Sequence, residues 1–150
     1  MQIPQTQVGF DIPTYFVVLD GTTAKFFLAH RHIFEQQDEF QTDDFQLDDT
    51  EKNMTVDTST GIHDGLEDEN IKNRVRQKFF SKIAHILFKR KQEGKYKKLI
   101  VVLPQEHKKE FLEKLHPEVS SILSQVIPKI MTKTKSDELL TQLQKTRKDA

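Results

Sequence analysis

The sequence predicts a single α/β domain over residues 1–150, in which a mixed β-sheet opens with a β-hairpin and helices pack on it. Three observations predict this architecture. An early pair of β-branched and aromatic segments flanks a turn, an apolar run at 99–103 (LIVVL) indicates a buried strand, and a long stretch of helical periodicity separates the two. Parallel strands joined in this way require a right-handed crossover.

The hairpin is predicted over about residues 14–30. Its strands are 15–19 (YFVVL) and 24–29 (AKFFLA), which have no helical period. Asp20 and Gly21 stand between them and predict a two-residue primed turn, because glycine accepts a positive φ.

Further β-structure and a long polar loop follow the hairpin. Residues 33–40 predict a third strand and residues 45–47 a short fourth one. Residues 48–69 are acidic and polar and include Gly61 and Gly65. This segment lacks the apolar residues that would offset the entropy of ordering, so we expect a mobile loop. We also expect residues 1–13 to form a flexible N-terminus.

A long amphipathic helix is predicted over about residues 68–93. Its apolar stripe has spacings of three and four: Ile71, Val75, Phe79, Ile83, Ile86 and Leu87. Gly94 provides a stop. The basic residues of this helix are interpreted as an exposed, partner-binding face, and five are singled out: Lys72, Arg76, Lys82, Lys89 and Arg90.

The C-terminal third predicts helix, strand and helix around the buried strand 99–103. Residues 106–115 indicate a helix, and a second helical piece follows Pro117. A last strand is expected at 126–131, where Pro128 restricts it to an edge or an end. Ser136 is predicted to cap the closing helix.

Composition excludes several classes of protein. With no cysteine, the chain has no disulfide, no thiolate metal site and no cysteine nucleophile. No apolar run approaches the length of about 18 residues that a membrane span needs. The N-terminus does not resemble a signal peptide, which favours the cytoplasm but leaves export by a specialised secretion system open.

Charge is strongly segregated although the formal net charge is zero. Residues 35–70 contain 13 acidic residues and one basic residue, whereas residues 72–98 contain 11 basic residues and one acidic residue. Either the two blocks neutralise each other or solvate separate faces, or the basic block is an anion-binding face guarded by the acidic loop.

No complete catalytic or metal-binding motif is present. Asp20 could serve a metal-dependent nuclease, but such a site needs several carboxylates and the strand 99–103 supplies none, so Asp20 is interpreted as a turn residue. His63 and Asp64 are adjacent residues, which rarely face each other, and they remain a candidate loop contact. We predict no catalytic residue, no metal and no cofactor.

The ordered segments carry a resemblance. YFVVLDGTTAKFFLAH, IHDGLEDENIKNRVRQKFFSKIAHIL, KLIVVLPQEHKKEFLEKLHPEVSSIL and IPKIMTKTKSDELLTQL together resemble the bacterial "protein required for attachment to host cells" family over about residues 14–145. The resemblance makes Asp20 and Gly21 a family-motif turn. It also marks a closing basic segment, which here contains Lys129 and Lys133.

That family is similar to the middle domain of archaeal and eukaryotic peptide-chain release factors, which implies a ribonuclease-H-like sheet and a link to translation or RNA. Release factors carry a Gly-Gly-Gln tripeptide. Gly61 and Gly65 are separated and neither precedes a glutamine, so the resemblance does not imply peptidyl-tRNA hydrolysis.

The leading hypothesis is a non-enzymatic binding module that engages RNA, the ribosome or another protein. A protein acting at or in a host cell through specialised secretion is one alternative, and a metal-dependent nuclease or hydrolase using Asp20 is another. The sequence does not predict an oligomeric state.

Overall fold

The computed structural model describes residues 2–3, 10–45 and 65–149. The elements are β1 (Phe10–Leu19), β2 (Thr23–Arg31), β3 (Ile33–Gln41), α1 (Gly65–Gln92), β4 (Lys98–Val102), α2 (Lys108–Leu112), α3 (Pro117–Ser120), β5 (Leu123–Ile127) and α4 (Ser136–Asp149). Two short 3-10 helices, Thr42–Phe45 and Gln105–His107, follow β3 and β4.

The strands form one five-stranded sheet in the order β3-β2-β1-β4-β5. β2 pairs antiparallel with both β1 and β3, whereas β1, β4 and β5 are parallel to one another. β2 is therefore the strand that runs against the rest, which confirms the predicted mixed, ribonuclease-H-like sheet with an opening hairpin.

The sheet is buried on both faces. One face packs against α1, α2 and α3 through Val17, Phe26, Phe79, Ile83 and Phe111. The opposite face packs against α4 through Phe16, Val18, Leu139 and Leu140. Residues 99–103 are buried between β1 and β5, as the continuous apolar run predicted.

The first strand begins at Phe10, earlier than predicted, so residues 10–13 of the segment expected to form a flexible N-terminus belong to β1. Ile3 is fully buried and its N–H donates to the carbonyl of His32 at 2.6 Å. Phe10 packs edge-to-face on Phe16 with centroids 5.5 Å apart. Both apolar side chains complete the face of the sheet that α4 covers.

The hairpin turn forms by a different mechanism from the one predicted. Leu19 pairs with Ala24, and the N–H of Asp20 donates to the carbonyl of Thr23 at 2.9 Å. Among the glycines that the structure describes, Gly94 has a positive φ and Gly21 does not. The turn is instead fixed by the side chain of Asp20.

Two expectations around the long loop were also wrong. Residues 42–45 form a 3-10 helix where strand 45–47 was expected to start, because Asp44 accepts a hydrogen bond from the N–H of Gln41. Helix α1 begins at Gly65, so residues 65–69 of the predicted loop are helical. The rest of the predicted loop lies outside the described residues.

The end of α1 is close to its predicted place. Gly94 has φ 76°, its N–H donates to Lys91 and the N–H of Lys95 donates to Arg90, which is a Schellman arrangement. Further on, β5 ends at Ile127, directly before Pro128, rather than extending to 131. The predicted helix 106–115 is a 3-10 turn followed by the short helix α2. Within the described part of the chain, no helix is long and apolar enough to cross a membrane.

Candidate nucleic-acid interface

The carboxyl ends of β1, β4 and β5 lie at one edge of the sheet. The chain leaves β1 towards β2 on one side and leaves β4 towards β5 on the other, so the connections diverge between β1 and β4. In open α/β sheets this point of divergence is where ligands bind. Asp20 and Gly21 follow β1, and Gln105–His107 follows β4.

Asp20 joins two loops of this edge. Its Oδ1 accepts hydrogen bonds from the N–H groups of Thr22 and Thr23, at 2.8 and 2.9 Å, and from the Thr22 hydroxyl at 3.2 Å. Its Oδ2 accepts a hydrogen bond from the hydroxyl of Thr132 at 2.7 Å. Thr132 is 112 positions away in the chain and is buried.

These bonds determine the charge state of Asp20. Burial alone would raise its pKa, but the hydrogen bonds from Thr22, Thr132 and Thr23 outweigh burial and hold the pKa below its ordinary value. The carboxylate is thus charged and occupied by four donors. Within residues 2–3, 10–45 and 65–149, no three His, Asp or Glu side chains converge on a metal position. The arrangement favours a structural role for Asp20.

Arg76 was predicted to be exposed, and the structure places it on the sheet side of α1. It is seven positions before Ile83 of the core and therefore on the same side of the helix. Its Nε and Nη2 each bind one carboxylate oxygen of Glu110 at 3.0 Å. A Cβ on Gly21 would lie 3.4 Å from Arg76 Cδ and 3.6 Å from His107 Nε2, which are ordinary contact distances, so the turn lies directly against Arg76 and His107.

Arg90 departs from the prediction in the same way. It lies seven positions after Ile83, and its guanidinium binds the carboxylate of Asp38 on β3 and the hydroxyl of Tyr15. It also lies over the rings of Phe26 and Phe40, 5.3 and 5.9 Å from their centroids. Arg90 therefore fastens the C-terminal half of α1 to the sheet.

The opposite side of α1 carries a different basic surface, which we call the basic stripe. Its members follow helical spacings of four and three, all are exposed, and they are Arg74, Lys78, Lys82, His85 and Lys89. Lys82 and Lys89 were predicted as site residues. Arg74, Lys78 and His85 were not singled out, although their spacing from Lys82 in the sequence places them on the same side of a helix.

The remaining predicted site residues lie in different parts of the chain. Lys72 is exposed on the second turn of α1. Lys129 and Lys133 are exposed in the segment 128–135 between β5 and α4, which we call the closing loop. His63 and Asp64 lie outside the described residues. Sequence reasoning missed Thr132 and Glu110, since their partners are distant in the chain.

The sequence from residue 13 to residue 143 matches the family model described as bacterial archaeo-eukaryotic release factor family 12. The chain belongs to this family. The description of this family does not mention host attachment, so that part of the resemblance stays a prediction. No curated protein matches the sequence.

A solved structure agrees with the family at the level of the fold. An archaeal translation termination factor superposes with a TM-score of 0.51 at 16% identity, covering 91% of this chain and 39% of that protein. A second structure, described as an archaeal protein, superposes with a TM-score of 0.46 at 14% identity, covering 90% of this chain and 39% of the other. The family 12 chain thus spans 39% of the length of each.

Proposed function

We propose that this chain is a non-enzymatic, cytoplasmic RNA-binding module linked to translation, and that it contacts RNA phosphates through the basic stripe of α1. The observation that carries this proposal is the exposed row of basic side chains on one side of helix α1, with no acidic residue between 72 and 92. Membership of a release-factor family supports the link to translation.

The dimensions of the basic stripe suit a polyanion. Arg74 and Lys89 are 15 positions apart, which corresponds to about 22 Å along a helix. Each phosphate that a cation neutralises releases counterions, so binding by several cations depends steeply on salt. The two acids that pair with α1 arginines in the described residues, Asp38 and Glu110, lie on the sheet side of the helix.

Two lysines of the stripe lie outside the ion pairs that join α1 to other elements. In the described part of the chain, neither Lys82 nor Lys89 has an acidic partner, whereas Arg76 and Arg90 do. Exposed lysines contribute little to stability, so retaining them on one side of α1 is consistent with a binding role. Nothing among the described residues favours action at a host cell.

The test is the affinity of the purified chain for mixed ribosomal RNA at low and at physiological salt. The double variant Lys82→Glu, Lys89→Glu should lose at least about tenfold in affinity, because two phosphate contacts become repulsive. The matched control is Lys97→Glu, Lys114→Glu, which makes the same charge change at two exposed lysines off the stripe.

Equal losses in the two double variants would mean that net charge, and not the stripe, governs binding. If the unaltered chain binds neither ribosomal RNA nor ribosomes in a salt-sensitive manner, the stripe is a solvated helix face and the proposal fails.

A further inference from the structure

The closing loop exposes a large apolar side chain among several lysines. Ile130 is 73% exposed, the largest exposure among the bulky apolar side chains of the described residues. Lys129, Lys133 and Lys135 surround it and are also exposed. No acid occurs in residues 128–136.

The loop is held in place on both sides of Ile130. The N–H of Lys129 donates to the carbonyl of Ile127 at 2.9 Å, and the N–H of Thr134 donates to Met131 at 3.1 Å. Met131 is buried in the core under α4. The buried hydroxyl of Thr132 donates to Asp20. Ile130 is therefore presented by a loop whose next two side chains are anchored.

An open cavity of about 480 Å³ adjoins this side chain, and its lining includes Lys129, Ile130, Thr134 and Glu138. Pockets of this size hold small organic groups. A nucleobase would find an apolar contact at Ile130, a cation at Lys129 and a carboxylate at Glu138 in this lining.

Contacts link this loop to the basic helix. Thr132 binds Asp20, and the adjacent Gly21 lies beneath the side chain of Arg76 on α1. The closing loop and the N-terminal half of α1 thus share the carboxyl edge of the sheet. Lys72 and Arg74 are exposed on that half of α1.

We propose that the closing loop is a second RNA contact, which takes a single-stranded segment with Lys129 and Lys133 on phosphates and Ile130 against an unstacked base. Asp20 is a positioning residue, because its bond to Thr132 fixes the loop. This inference rests on the proposed function and adds a second contact on the same RNA.

The test is fluorescence anisotropy of the full chain with a labelled single-stranded RNA of about 20 nucleotides, long enough to reach both surfaces. The exposed double variant Lys129→Gln, Lys133→Gln should lower affinity about tenfold and reduce the slope of log affinity against log salt by about 1.4, which is two single-strand phosphate contacts. Ile130→Ala should lower affinity and leave that slope unchanged, since its contact is apolar.

Variants of Thr132 test whether its hydrogen bond to Asp20 positions the closing loop for RNA binding. Thr132→Val removes the hydroxyl and should lower RNA affinity, whereas Thr132→Ser keeps the donor and should restore it. A thermal melt of each variant separates this effect from unfolding.

The outcomes distinguish the two proposals. If all closing-loop variants bind RNA as the unaltered chain does while Lys82→Glu, Lys89→Glu loses binding, the loop contact is refuted and the stripe stands. If polyglutamate displaces the RNA as effectively as unlabelled RNA does, the base contact at Ile130 is refuted. If the unaltered chain does not bind RNA, both proposals fail.

Discussion

Both sides of helix α1 carry basic residues, but in the described part of the chain those on the sheet side pair with acids, whereas two lysines on the outer side do not. Arg76 and Arg90 lie on the sheet side, where each is 23% exposed and bound to an acid on another element. Lys82 and Lys89 lie on the outer side without an acidic partner in the described residues. Arginine suits the first role because its planar guanidinium binds a carboxylate through two donors and stacks on aromatic rings. The basic residues of one continuous stretch of sequence can therefore lie on two different surfaces of a helix.

The largest expected effect on stability is the difference between replacing Arg90, on the sheet side of α1, and replacing its neighbour Lys89, on the outer side. Arg90→Met leaves the carboxylate of Asp38 without its cation and removes the contacts with Tyr15, Phe26 and Phe40. We expect the free energy of unfolding to fall by about 1–3 kcal/mol. Lys89→Met, one residue earlier, should change it by less than about 0.5 kcal/mol. Urea unfolding of both variants measures the difference, and equal losses would erase the distinction between the two sides.

A smaller effect is expected for the pair Arg76–Glu110. Both side chains are about a quarter exposed, so solvent screens the pair and its bidentate geometry should give a coupling of about 0.5–1 kcal/mol. A double-mutant cycle with Arg76→Met and Glu110→Gln measures this coupling. A coupling near zero would mean that Arg76 is held by packing over Gly21 and not by the acid.

Acid should weaken the link between the hairpin turn and the closing loop. The pKa of Asp20 is lower in the folded chain than the ordinary value of about 3.9. A lowered folded pKa contributes stability that is present above the unfolded pKa and is lost as pH falls through the folded pKa. Asp20→Asn keeps a side-chain oxygen that can accept the N–H bonds of the turn, but it removes the carboxylate that titrates. The variant should therefore lose part of the dependence of stability on pH below about pH 4. Identical acid unfolding curves for the unaltered chain and Asp20→Asn would contradict a stabilising role for the charged Asp20 carboxylate.

The smallest effect is expected at Gly21. Its φ is not in the positive region and a Cβ would meet Arg76 Cδ at 3.4 Å, an ordinary contact distance. Gly21→Ala should therefore change the stability by less than about 0.5 kcal/mol. A loss several times larger, measured by thermal unfolding, would show that the approach of α1 to the turn requires glycine.

Local patterns in the sequence were enough to predict most of the fold. The run 99–103 is apolar throughout because both faces of β4 are covered, and the spacing of Phe79, Ile83 and Leu87 marks the side of α1 that packs on the sheet. The Asp20 turn was located correctly, but its geometry was not, because an aspartate that accepts N–H bonds from its own turn replaces the need for a positive φ.

The expectation that Arg76 and Arg90 lie on the exposed side of the helix was wrong for a reason that local patterns cannot remove. Arg76 and Arg90 fall on the apolar side of the helix by spacing, and only their partners on α2 and β3 explain why charge is tolerated there. Glu110 is 34 positions from Arg76, and Asp38 is 52 from Arg90. The same holds for Thr132 and Asp20, whose hydrogen bond joins residues 112 positions apart. Such pairs become visible only when topology brings their strands and helices together.

The most direct test of the account is the salt dependence of RNA binding in the two neighbouring variants Lys89→Met and Arg90→Met, measured on folded protein with single-stranded RNA. We expect Lys89→Met to lower the slope of log affinity against log salt by about 0.7, which is one phosphate contact, and Arg90→Met to leave the slope unchanged. A reduced slope for Arg90→Met together with an unchanged slope for Lys89→Met would place the RNA on the other side of the helix and contradict the account.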